Sequence, residues 1–176
     1  MSPDAPSVAI VTVSTSVAVG DSEDATGALL AELVAELEFP ILAREVITDD
    51  RAAIESCLRR LVEAKAGVIL TAGGTGLSAT DVTPEATAAV IVRGVPGLAE
   101  ALRADARQYT PMGALSRGVC GIAGQSLIVN LPGSPRAVGP AFGVLAPVLA
   151  HAVATLRASG STRHLHGDVT SKEEDQ

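Results

Sequence analysis

Apolar positions along this chain fall into two rhythms. Three runs are apolar with little polar alternation: SVAIVTVST (7–15), AGVILT (66–71) and QSLIVNL (125–131). Runs of this length, rich in β-branched residues, suit strands covered on both faces. REVIT (44–48) is a shorter strand candidate. Between these runs the spacing becomes helical. Leu29, Leu30, Leu33, Val34 and Leu37 form one stripe, with Asp24 as its N-cap. Ile54, Cys57, Leu58, Leu61 and Val62 form the next, capped by Asp49 or Asp50. A third helix opens at Thr83-Pro84, with proline at the first helical position, where its missing N–H costs nothing. LAEALRADARQ (98–108) and residues 136–157 complete the helical segments. Pro140 and Pro147 are expected to restrict the start of the last one and to kink it. SVAVGDSEDATG (16–27) reads as a loop, GVPG (94–97) as a turn, and MGALSRGVCGIAG (112–124) fits no single pattern beyond close packing at its glycines.

Strands that alternate with helices predict an α/β sandwich with a mostly parallel sheet. Such sheets bind ligands beyond the carboxyl ends of their strands. Three polar loops follow the predicted strands: ITDD (47–50), TAGGTGLSATD (71–81) and NLPGSP (130–135). The crossovers bring all three to one edge.

Composition narrows the choice. The 176 residues suit one domain, placed at 1–158, and residues 159–176 form a tail expected to be disordered because it has little to bury. The chain is 47% hydrophobic but has two Phe, one Tyr and no Trp, which excludes aromatic stacking platforms for single-stranded nucleic acid. A formal net charge of −7 argues against a broad nucleic-acid surface. Cys57 and Cys120 read as buried free thiols without zinc-site spacing. No signal peptide is evident. The nearest approach to a membrane span, residues 139–156, is expected to be broken by Pro147. A soluble cytoplasmic protein is the expectation.

The segment GVILTAGGTGLSATDVTPEAT (67–87) carries the chemistry. Gly73, Gly74, Thr75 and Gly76 form a turn whose backbone N–H groups suit a phosphate or other anion, and the Thr75 hydroxyl is a further donor. The bland alternative is a tight strand-to-helix connection. The turn is neither a Walker A loop nor a dinucleotide fingerprint. Asp81 either caps its own loop or coordinates Mg²⁺ beside phosphates, with Asp49 or Asp50 as the second carboxylate. That pairing suits phosphoryl or nucleotidyl transfer. Ser116 and Ser134 are candidate phosphate donors or ordinary turn hydroxyls. Arg117 and Arg136 either offset ligand charge or are solvated. Tyr109 is a binding or core residue. His151 reads as a packing or surface residue, and His164 and His166 are discounted. No Ser-His-Asp or Cys-His arrangement is present.

VTVST, VITDD, VILTAGGTGLSATDVTPEAT, VPGLAEALR, ALSRGVCGIAG and SLIVNLPGSPRAV, in this order over about residues 7–155, resemble the molybdenum cofactor biosynthesis family that includes the bacterial molybdopterin adenylyltransferases. The resemblance implies a three-layer α/β domain, assembled as a homotrimer or a dimer of trimers. It implies Mg²⁺-dependent transfer of AMP from ATP to the terminal phosphate of molybdopterin, with release of pyrophosphate. By motif, Asp49 and Asp81 match the catalytic, metal-holding acids. Gly73, Gly74, Thr75 and Gly76 match the phosphate-holding turn. Ser116, Pro132, Gly133, Ser134 and Pro135 match the ligand cleft, parts of which come across a subunit boundary. Where many members carry Asp and Arg after the first strand's serine, this chain has Thr15 and Ser16. Thr80 stands where many have Arg, and Thr48 where many have Pro. These changes leave open a non-catalytic molybdopterin carrier or scaffold; a nucleotide-binding regulatory module is a third class. A pterin ring in this aromatic-poor chain is expected to lie against backbone and aliphatic groups, with stacking on Tyr109 as the contrary outcome.

Overall fold

The computed structural model describes residues 5–163, and side chains as far as residue 158. Six strands form one sheet: β1 (Val8–Val13), β2 (Ile41–Ile47), β3 (Val68–Ala72), β4 (Arg93–Gly94), β5 (Cys120–Ala123) and β6 (Ser126–Leu131), in the order β2-β1-β3-β6-β5-β4. β1 pairs in parallel with β2 and β3, and β3 in parallel with β6. β5 and β4 complete the edge as antiparallel neighbours.

The unalternating apolar runs have the cause expected of them. All six residues of β1, all five of β3 and all six of β6 are buried. Their side chains alternate between two cores. Val8 and Ile10 join Val68, Leu70, Leu127 and Val129 beneath α2 (Ala25–Glu36), α5 (Pro96–Tyr109) and α6 (Pro135–Arg163). Ala9, Val11 and Val13 join Ile69 and Ile128 beneath α3 (Arg51–Glu63) and α4 (Thr83–Ala88). A mostly parallel sheet with helices on both faces is thus a three-layer sandwich. Each large aliphatic side chain taken fully out of water here stabilises the fold by about 1.5–3 kcal/mol.

Asp24 caps α2, accepting from Gly27 N at 2.9 Å. The same carboxylate takes the Thr12 hydroxyl of β1 at 2.9 Å and the Arg44 guanidinium of β2 at 2.8 Å. Burial works to raise the Asp24 pKa, but these donors outweigh it and hold the carboxyl below its ordinary value.

Several elements differ from expectation. β2 begins at Ile41, three residues before the predicted strand. Residues read as loop include a short helix, α1 (Thr15–Ala18), capped by Ser14. The ambiguous segment 112–124 divides into a 3₁₀ turn (Pro111–Leu115) and β5. Pro140 and Pro147 both lie inside α6. Each removes one backbone hydrogen bond, yet Val138, Phe142, Leu145, Leu149, Val153 and Leu156 keep one stripe of the helix buried. Pro147 therefore does not break the apolar segment. By length and hydropathy α6 suffices to cross a membrane, as core helices of globular domains also do. α6 runs through residue 163, and the rest of the expected tail, with His164 and His166, lies outside the described residues.

Candidate functional site

The strand order places the carboxyl ends of β2, β1, β3 and β6 side by side. The acid pair therefore sits next to the end of β1, followed by the glycine turn and then NLPGSP.

The acid pair divides its work. Asp50 caps α3, accepting from Ala53 N at 2.8 Å. Asp49 turns instead to α1. Its Oδ2 accepts both the backbone N–H and the hydroxyl of Thr15, each at 2.8 Å. The Asp49 N–H donates back to Thr15 Oγ1 at 3.1 Å. Asp49 Oδ1 accepts no hydrogen bond from the described residues.

The glycine turn fits only glycine. Gly73 and Gly74 have φ of 111° and 62°, in the region L side chains rarely adopt. A Cβ on Gly73 would stand 2.2 Å from Val13 O, and one on Gly74 2.3 Å from Thr83 Oγ1. The same point above Gly74 is 3.5 Å from Asp49 Oδ1, so the turn passes directly beside the free carboxylate oxygen. On its other side Gly73 N donates to Leu131 O at 3.2 Å. A Cβ on Gly133 would lie 3.0 Å from Gly73 Cα. Thr26, near the start of α2, donates its hydroxyl to Gly133 O at 2.8 Å and so ties the NLPGSP loop to α2. Thr75 is 8% exposed, so its hydroxyl is largely enclosed. Thr83 Oγ1 is buried without a hydrogen-bond partner.

Asp81 closes the loop it belongs to. Its Oδ2 accepts from Ser78 N at 2.8 Å, and its own N–H donates to Ser78 O at 3.0 Å. Local capping, one of its two candidate roles, is therefore present, and it occupies one carboxylate oxygen.

Arg117 is half-buried and paired, not merely a solvated cation, and each of its three nitrogens donates one hydrogen bond within the chain. Nε donates to Gly76 O at 2.6 Å, Nη2 to Asp81 O and Nη1 to the Glu85 carboxylate. Its backbone N–H donates to Thr75 O at 3.0 Å. One side chain thus straps both ends of the loop 76–81. The Arg117 hydrogen bond holds the Glu85 carboxyl below its ordinary range. The signal for this role was weak, because its partners lie far away in sequence.

Of the other expected cleft residues, Ser116 is half-buried and its Oγ accepts from Gly118 N at 3.4 Å. Pro132 is half-buried. Gly133, Ser134, Pro135 and Arg136 are exposed. Tyr109 lies at the end of α5 and is 69% exposed, so it is not a core residue. Asn130 was missed as a support. It is 4% exposed, and its amide donates to Thr71 Oγ1 and Thr87 Oγ1, each at 2.9 Å. Its Oδ1 accepts from Val119 N at 3.1 Å. This joins β3, α4, β6 and the approach to β5 immediately below the site. Cys57 and Cys120 are buried free thiols; burial is the main cause that pushes each up to about 11.

No group of three or more His, Cys, Asp or Glu able to hold a metal occurs among the described residues. The carboxyl edge instead offers two separate carboxylates, each with one oxygen engaged. A carboxylate with one oxygen open is the donor type taken by Mg²⁺, which uses one or two carboxylate oxygens and fills its sphere with phosphate oxygens and water. A cavity of about 370 Å³, lined by residues including Pro6, Phe39 and His151, lies at the amino-terminal end of the sheet, away from these groups.

The architecture and its edge define a class: a mostly parallel α/β domain with a glycine turn and acidic groups at the strand carboxyl ends. Residues 9–151 match the family model described as a probable molybdopterin binding domain. The chain belongs to this family of molybdenum-cofactor biosynthesis proteins. Over 152 residues it is 33% identical to a molybdopterin adenylyltransferase of Helicobacter pylori, covering 83% of this chain and 85% of that protein. It is 35% identical over 164 residues to the Drosophila melanogaster molybdenum cofactor synthesis protein cinnamon, covering 92% of this chain but 26% of that much longer protein. Among solved structures, the Mog protein of molybdopterin biosynthesis from Mycobacterium ulcerans superimposes with a TM-score of 0.82 at 44% identity, over 86% of this chain and 99% of that one. The molybdopterin biosynthesis enzyme MoaB of Thermus thermophilus gives 0.82 at 41% identity, over 87% of this chain and 97% of that one.

Proposed function

We propose that this protein is a Mg²⁺-dependent molybdopterin adenylyltransferase, transferring AMP from ATP to the phosphate of molybdopterin. The observation that carries the reading is the meeting of Asp49 Oδ1 with the Gly73–Gly74 turn, which NLPGSP flanks through Gly133. The similarity to adenylyltransferases over most of the chain supports it.

In this reading a phosphate oxygen of molybdopterin attacks the α-phosphorus of ATP. A P–O bond forms there as the bond to pyrophosphate breaks, and no protein nucleophile is needed. The glycine turn brings backbone close to the phosphates. Ser116 and the segment Pro132, Gly133, Ser134 and Pro135 line the pterin side. Asp49 and Asp81 would hold Mg²⁺, which would supply neutralisation of the phosphate charge. The protein works in the cytoplasm as a homotrimer or a dimer of trimers, with part of each cleft completed by a neighbouring copy.

A second reading, a molybdopterin carrier of the same fold, is favoured by Thr15, Ser16 and Thr80, which stand where many relatives have charged groups, and by the engagement of Arg117 in the loop instead of the cleft. Pyrophosphate release separates the two. Release that requires ATP, Mg²⁺ and molybdopterin together is the expected result. Molybdopterin binding without release makes the protein a carrier.

A further inference from the structure

We infer that Thr15 is the positioning residue that fixes Asp49 and leaves it a single ligand-facing oxygen. The inference rests on the reading of Asp49 as a metal-holding acid and adds to it how this chain aims that acid. Three hydrogen bonds join the two residues in both directions: Thr15 N–H and Oγ1–H to Asp49 Oδ2, each at 2.8 Å, and Asp49 N–H to Thr15 Oγ1 at 3.1 Å. The hydroxyl both donates and accepts, so it links the Asp49 carboxylate to its own backbone. Rotation about the Asp49 side-chain torsions breaks two bonds at once.

The consequence concerns denticity. With Oδ2 engaged, Oδ1 is the oxygen left beside the Gly74 turn, and it accepts no hydrogen bond from the described residues. A carboxylate limited to one free oxygen suits the monodentate grip of Mg²⁺ and disfavours the bidentate grip common for Ca²⁺. Partners that orient a metal-binding side chain in this way typically change metal affinity about 10- to 100-fold when removed. Thr15 carries no charge, so Asp49 is held by a neutral neighbour.

The test compares Thr15→Val and Thr15→Ala, which delete the hydroxyl, with Thr15→Ser, which keeps it. Thr15 is exposed, so all three are expected to fold, and melting temperatures without ligand check this. Binding of Mn²⁺ alone to the protein is followed by loss of the free Mn²⁺ electron paramagnetic resonance signal, and Ca²⁺ competition is measured alongside. The expected result is about a ten-fold weaker Mn²⁺ affinity in Thr15→Val and Thr15→Ala, improved competition by Ca²⁺, and wild-type behaviour in Thr15→Ser. A purely structural role would shift melting and leave Ca²⁺ competition unchanged. Wild-type affinity and selectivity in the hydroxyl-deleted variants, alongside lost binding in Asp49→Asn, overturn the positioning role alone. No change in Asp49→Asn overturns the metal-holding reading, and the inference with it.

Discussion

The two acids at the sheet's carboxyl edge are held by different means. Asp49 is gripped from another strand's end by Thr15, 34 positions earlier in the chain. Asp81 is gripped within its own loop by Ser78, three positions earlier. The first arrangement depends on β1 and β2 being neighbours in register. The second would form in any conformation that closes the loop, but the loop itself is fixed by Arg117, 36 positions beyond Asp81. An acid placed by the sheet takes its position from strand order; an acid placed by a loop takes it from the contacts that close the loop.

The largest expected effect comes from removing each acid in turn. Asp49→Asn and Asp81→Asn should each lower pyrophosphate release by about 100-fold or more, the scale of removing one charge-stabilising group from a transition state. Folding should be little changed in both. Each variant keeps one acceptor oxygen, but only Asp81 closes its own loop through its bond to Ser78. Amide hydrogen exchange over residues 74–81 should therefore rise in the second variant only. Turnover unaffected by either change would remove that acid from the proposed mechanism.

Next comes the strap. Arg117→Ala leaves the carbonyls of Gly76 and Asp81 without their donor and Glu85 without its counter-charge. A stability loss of about 2 kcal/mol is expected, since hydrogen bonds from a charged donor exceed neutral ones. Exchange should rise in the Asp81 loop and not around Thr15 and Asp49. Lysine cannot reproduce a planar fork that serves three acceptors, so Arg117→Lys should restore only a small part of the loss. Full rescue by lysine in urea denaturation would show that charge alone is required.

The smallest effect tests the carboxylate that ties α2 to β1 and β2. Asp24 joins α2 to β1 and β2, and its folded pKa is lowered. A lowered folded value means stability that is full above the unfolded carboxylate pKa and is lost as pH falls through the folded one. Asp24→Asn keeps an N-cap acceptor but loses the ion pair with Arg44. A deficit of about 1 kcal/mol is expected at pH 7, shrinking as the pH is lowered through the acidic range. A deficit that stays constant in urea titrations across that range would exclude this linkage.

The buried strands and long helices were legible because burial leaves a periodic mark. Val8 to Val13 has no polar alternation because helices cover both faces, and the α3 stripe of Ile54, Cys57, Leu58 and Leu61 faces one core. The four-residue α1 and the two-residue β4 leave no such mark, since neither is long enough to show a period. Pro147 misled for a related reason. A proline costs a helix one bond locally, but the buried stripe from Val138 to Leu156 outweighs that cost in the folded chain.

At the edge itself, the residues that fixed the chemistry by type were visible in order: the glycines that only a cramped left-handed turn requires, the paired acids, and the NLPGSP segment. The sequence alone determined that α/β layers would form and that these loops would share an edge, because periodicity and crossover geometry act over short stretches of chain. Only the tertiary structure decided that Asp50 caps α3 while Asp49 meets Thr15, that Arg117 straps the loop 76–81, and that Asn130 ties β6 to β3 and α4. Apart from the local Asp50 cap, those bonds join groups far apart along the chain. Their existence depends on strand order and register, which no local run of residues encodes.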